Sequence, residues 1–163
     1  ELVNITDREL RLREELMAIK DHFSYIIVDA PPSLGLLTVN VLAASDSLII
    51  PIQCEYYALE GLGQLMETVQ MIKKNLNTTL KLEGVLLTMH NSRVNLSWQV
   101  IDEVKRYFGD DVYRTIIPRN VRLSEAPGFG KPIIEYSPTS KGAKAYLEMA
   151  VEFLEKNGEE ITY

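Results

Sequence analysis

The chain has one cysteine, one tryptophan and two histidines among 163 residues, and these scarcities exclude several classes at once. Cys54 has no disulfide partner, and neither a C-x-x-C pair nor a Cys/His cluster accompanies His22 and His90. Disulfide scaffolds and zinc sites therefore drop out, and a reducing compartment, the cytoplasm by default, fits best. Long apolar runs are also missing. Stretches such as residues 47–52 (SLIIPI) fall far short of the ~20 residues a bilayer span needs, and the opening residues do not read as a basic-then-apolar leader. A phosphate-binding glycine loop is lacking too. The one Gly130-Lys131 pair is followed by Pro132 and has Glu125 where the first glycine of G-x-x-x-x-G-K-[ST] should stand. The Gly61/Gly63 and Gly128/Gly130 pairs have Met66 and Ile133 where a dinucleotide fingerprint needs its third glycine.

What is present reads as one globular α/β domain over residues 1–163. Hydrophobic residues make up 46% of the chain, enough for a core without disulfides or a structural metal. The chain opens on Glu1 and its first methionine is Met17, which reads as a piece of a longer protein. Thr6 and Glu9 have capping-box spacing, and Leu10, Leu16, Ile19 and Phe23 recur near helical period, so residues 6–23 are expected to form a helix. Residues 25–29 (YIIVD) do not alternate apolar with polar, the pattern of a strand buried on both faces in a parallel sheet. Similar runs recur at 47–52, 82–89 and 112–117. Helical stretches fill 36–44, 59–75 and 95–108, and a last helix is expected at 141–156. Strands alternating with helices predict a doubly wound parallel sheet with helices on both faces and right-handed crossovers. The Pro/Gly-rich stretch 118–138 reads as a functional loop.

In such sheets ligands bind beyond the carboxyl ends of the strands, which directs attention to residues 29–33, 53–57, 90–93 and 118–122. Asp29 ends an apolar run and is followed by Ala30-Pro31-Pro32-Ser33, a stiff exit. Its carboxylate suits either a magnesium ion beside phosphates or the capping of a turn. Cys54 reads as a packing residue, and His90 as a surface or pocket-rim side chain rather than an acid or base. Residues 88–122 hold six basic residues against four acidic ones, a local +2 in a chain of net charge −6. A basic strip on an acidic protein points to phosphate contacts, with scattered solvated arginines as the alternative.

Residues 25–62, with Gly84-VLLTM89 and Ile117-PRNVRLSEAPGFGKPI133, closely resemble the ParA/Soj family of chromosome and plasmid partitioning ATPases, members of the wider MinD/ParA superfamily. The similarity runs from the first helix to the last. It implies a P-loop NTPase-like fold with a deviant Walker A loop and signature lysine near the natural N-terminus, a βα unit of at least about 30 residues lying upstream of Glu1. The resemblance puts no catalytic residue in this chain, so the 163 residues alone are expected to be inactive as an ATPase and to bind no cofactor tightly. It matches Asp29 with the Walker B-like aspartate that holds Mg2+, through water, and residues 30–35 with a γ-phosphate switch. Residues 53–57 match a segment leading to a helix near the dimer face. Met89, Asn91, Pro118 and Arg119 match positions that flank the adenine of ATP, and Arg93 and Arg122 match basic positions that bind nonspecific DNA in an ATP-bound homodimer. The implied partners are that DNA and a ParB/Spo0J-like protein that stimulates hydrolysis, at a cytoplasmic, nucleoid-associated location. Other readings are a MinD-like division-site regulator on membranes and a nucleotide-free interaction module. Residues 145–163 carry five glutamates against Lys156 alone, which disfavours binding to an anionic bilayer.

Overall fold

The first helix is shorter than its pattern. In the computed structural model, which describes residues 6–31, 35–55 and 58–161, Asp7 has φ +54° and the capping box does not form. The left-handed turn at Asp7 delays the helix, so α1 runs only over Arg11–Met17, with a single 3₁₀ turn at Lys20–His22. The run 25–29 is a second departure. It joins no strand among the described residues, and Ile27 stands 90% exposed. An apolar strand is buried only when neighbouring strands and helices cover it, and the described residues supply none.

From residue 36 the elements follow the sequence pattern closely. They are α2 (Leu36–Ala44), β1 (Ser47–Gln53), α3 (Ala58–Asn75), β2 (Lys81–Thr88) and α4 (Asn95–Phe108). The stretch 118–138 is no open loop but three short helical pieces: α5 (Val121–Glu125), a 3₁₀ turn (Ala126–Phe129) and α6 (Ile133–Tyr136). Pro127 enters that turn near its start and Gly130, at φ +63°, ends it, so neither piece can lengthen. The chain closes on α7 (Lys141–Lys156), capped where Ser140 Oγ accepts the N–H of Ala143.

β1 and β2 pair side by side. Asp46 O accepts the N–H of Lys81 at one end, and Cys54 N–H donates to Thr88 O at the other, so the two strands run the same way. The run 112–118 continues the parallel arrangement through the bridges Val85–Val112 and His90–Pro118 rather than as a full strand. The fold class is α/β, a parallel sheet with helices.

By packing, the chain divides into two compact units, residues 1–48 with 60–83 and residues 49–59 with 84–163. In the first, α1 packs on α2, and buried Asn40 ties them: its Nδ2 donates to Arg8 O and Leu36 O, and its Oδ1 accepts the N–H of Leu12. Buried Asn77 serves the other end of α2, donating to the carbonyls of Leu42 and Ser45 that a helix terminus leaves unsatisfied. Leu42, Ile72 and Leu80 form the core there. In the second unit, Leu86, Tyr113, Ile117 and Ala145 form the core, with Ile49, Leu123, Met149 and Phe153 packed against them. The helical spacing of Val100, Ile101, Val104 and Phe108 buries one face of α4.

Candidate functional site

The carboxyl end of β2 breaks its strand geometry at Met89, whose φ of +55° is strained for any residue with a Cβ. That turn lets His90 rejoin the ladder one step further on. His90 N–H donates to Ile117 O at 3.1 Å, and Arg119 N–H donates to His90 O at 2.9 Å. Four residues singled out in the sequence, Met89, Asn91, Pro118 and Arg119, are thereby set around one short parallel bridge. Asn91 is half-buried, and its Oδ1 accepts the N–H of Arg93 at 3.2 Å, leaving its Nδ2 as a donor. The Arg119 guanidinium is exposed and lies 3.8 Å from the Glu55 carboxylate.

His90 lines this turn as a packing residue. Its ring meets Trp98 edge-on at 4.7 Å, and its Nδ1 is buried without a hydrogen-bond partner among the described residues. Trp98 Nε1 donates to Ser92 O at 3.3 Å, which closes the turn from the α4 side. Cys54 is buried beside β2, with its carbonyl accepting the Ser97 hydroxyl at 3.1 Å. Burial pushes its thiol up to about 11, so it stays protonated and inert.

Asp29 belongs to the other unit. It is exposed at the end of the apolar run 25–29, and its carboxylate has no hydrogen-bond partner among the described residues. Magnesium is commonly held by one or two carboxylates with phosphates and water completing its shell, so a single exposed carboxylate fits that ion in number and chemistry. Among the described residues no group of three or more His, Cys, Asp or Glu gathers into a metal site. Residues 32–34 of the expected switch, and Tyr56 and Tyr57 of the 53–57 segment, lie outside the described residues.

The basic strip is less free than its composition implies. Arg106 pairs with Glu103 at 2.9 Å, Arg114 with Glu152 and Glu155, Arg119 with Glu55, and Arg122 with Glu125 at 2.8 Å. Arg93 is exposed and has no ion-pair partner among the described residues. Glu125 also accepts the Tyr136 hydroxyl at 3.0 Å. The Arg122 hydrogen bond first, and then that of Tyr136, hold the Glu125 carboxyl below the usual carboxylate range. The i,i+3 spacing of Arg122 and Glu125 was a visible signal for this pair. Nothing in the sequence signals Glu55 beside Arg119. No helix among the described residues is long and apolar enough to cross a membrane.

Comparison with known proteins gives this geometry a context. A family model described as an AAA domain matches residues 1–82. The sporulation initiation inhibitor protein Soj of Bacillus subtilis is 63% identical over 152 residues, which cover 93% of this chain and 60% of that protein. The chromosome partitioning protein ParA of Myxococcus xanthus is 55% identical over 157 residues, covering 96% of this chain and 56% of that protein. The chain thus spans about 60% of the length of the curated relatives it matches. A solved structure of cobyrinic acid a,c-diamide synthase from Mycobacterium smegmatis, with bound ADP and magnesium, superposes with a TM-score of 0.75 at 33% identity, covering 99% of this chain and 61% of that one. The chain belongs to the AAA-domain family and is homologous, over nearly its whole length, to the Soj/ParA chromosome-partitioning proteins.

Proposed function

We propose that the protein containing this chain is an ATP-dependent DNA-segregation switch, in which bound ATP closes a dimer, the dimer holds nonspecific DNA, and a ParB-like partner stimulates hydrolysis. The observation that carries the reading is the His90–Pro118 bridge, which collects Met89, Asn91, Pro118 and Arg119 at a strand end in a homologue of partitioning proteins. Met89 and Pro118 offer apolar surface to a purine, Asn91 an amide, and Arg119 a cation. Asp29 would hold magnesium beside the phosphates, and the phosphate loop would come from sequence outside these residues. Phosphoryl transfer to water asks the protein mainly to position the metal and to stabilise charge.

The DNA part rests on Arg93 and Arg122. Each phosphate neutralised by a cation steepens the log–log salt dependence of duplex binding by about 0.9. The test is binding of the full-length protein to unrelated duplexes with Mg-ATP or Mg-ADP, for wild type and for the Arg93→Ala/Arg122→Ala variant. Binding that requires Mg-ATP, and that weakens equally on every sequence with a flatter salt slope in the variant, is expected. Wild-type affinity and slope in the double variant would remove both arginines from the DNA surface.

A further inference from the structure

Arg122 and Arg93 occupy different electrostatic settings, and the difference is built by three side chains. Glu125 closes α5, one turn beyond Arg122, and one of its oxygens, Oε2, receives both Arg122 Nη1 at 2.8 Å and the Tyr136 hydroxyl at 3.0 Å. Tyr136 is itself fixed, stacked on Phe129 with ring centroids 5.0 Å apart. Glu125 is therefore held from two sides, and its carboxylate occupies a donor edge of the guanidinium that a phosphate would use. A phosphate approaching Arg122 meets a guanidinium with one donor already engaged and a carboxylate beside it that repels it. Arg93, with no ion-pair partner among the described residues, presents its full charge.

We infer that Glu125 is an intramolecular stand-in for phosphate that masks Arg122, so that nucleic acid must displace it from the guanidinium before Arg122 contributes to binding. The inference rests on the proposed DNA-binding role of Arg122 and adds to it a residue that sets the strength of that contact. Two consequences follow from the charge balance. Wild-type Arg122 yields less than a full phosphate contact, because the freed carboxylate recruits a counterion as the phosphate loses one. Removing the carboxylate also raises affinity only by the strength of an exposed ion pair, about two- to fivefold.

The experiment is a double-mutant cycle in the full-length protein with Mg-ATP, measuring duplex DNA affinity across a salt series for wild type, Glu125→Gln, Arg122→Ala and the double variant. Glu135→Gln, on the exposed side of α6, controls for a simple gain of one positive charge. Masking requires that Glu125→Gln tighten binding by about two- to fivefold and steepen the salt slope by up to about 0.9, with both effects vanishing in the Arg122→Ala background. Equal effects of Glu125→Gln in both backgrounds, matching those of Glu135→Gln, would overturn the inference and leave Glu125 as bulk charge. Weakened binding in Arg122→Ala with no response to Glu125→Gln would also overturn it while preserving the DNA role of Arg122. No response to Arg122→Ala at all would remove the DNA role itself, and the masking with it.

Discussion

One carboxylate oxygen of Glu152, Oε2, accepts both the backbone N–H of Thr115, at 2.9 Å, and its hydroxyl, at 2.8 Å. The other oxygen accepts the N–H of Arg114 at 2.7 Å, so one side chain of α7 satisfies the backbone where the run 112–118 leaves the ladder. A hydrogen bond to a charged group contributes about 1.5–3 kcal/mol, and each of these part-buried amides makes one to Glu152.

Glu152→Gln should therefore destabilise the protein, because an amide supplies one acceptor oxygen where two are in use and turns its own N–H₂ against a donor. A fall in thermal midpoint of several degrees is expected, and an unchanged midpoint would show that water replaces the carboxylate without cost. The pH dependence has a definite sign. Burial raises the Glu152 pKa, but the Arg114 and Thr115 amides, the Thr115 hydroxyl and the Arg114 guanidinium together outweigh it and hold the carboxyl below its ordinary 4.5. A depressed folded-state pKa gives stability that is complete above the unfolded value and is lost as pH falls through the folded one. Wild type should lose stability below about pH 4.5 more steeply than Glu152→Gln.

Gly84 on β2 stands against the Tyr113 ring. A Cβ at position 84 would lie 2.5 Å from Tyr113 Cε2 and 3.1 Å from the Asp111 carbonyl oxygen. Tyr113 is fully buried and cannot swing away, so Gly84→Ala should cost about 1–3 kcal/mol by overpacking. Chemical denaturation is the measurement, and a variant of wild-type stability would mean that the ring relaxes freely.

The parts legible in sequence were those whose signals are local. The helical stretches at 95–108 and 141–156 marked α4 and α7, and the unbroken apolar runs marked β1 and β2. The same reasoning failed where the deciding contact is not local. Capping-box spacing at Thr6 and Glu9 could not reveal the left-handed backbone of Asp7, and the apolar run 25–29 announced burial that depends on covering elements absent from the described residues. At the site, strand ends pointed to residues 90–93 and 118–122 and the family resemblance to Met89, Asn91, Pro118 and Arg119 among and beside them, whereas the pairing of Arg119 with Glu55 joins positions far apart in the chain.

Trp98 offers a direct report on the site. It is the one tryptophan in these 163 residues, and it touches His90 and Ser92, on either side of Asn91. Nucleotide added to the full-length protein should shift or quench Trp98 emission, with Trp98→Phe identifying the signal. An unchanged spectrum at nucleotide saturation would detach the β2 end from the base.

The last prediction concerns Asp29, where a metal role and a turn-capping role diverge. A capping carboxylate is tied to backbone N–H groups, and its loss costs about 0.5–2 kcal/mol of stability. Asp29 is exposed, and among the described residues its carboxylate bonds to nothing, so Asp29→Ala should leave the thermal midpoint within the scatter of ordinary surface substitutions. A carboxylate that holds magnesium beside the phosphates contributes instead to the charge balance of phosphoryl transfer, which the protein cannot recover elsewhere. In the full-length protein, Asp29→Ala should abolish magnesium-dependent ATP hydrolysis and weaken nucleotide-dependent dimerisation while leaving the fold intact. Near-normal turnover combined with lowered stability would return Asp29 to the turn.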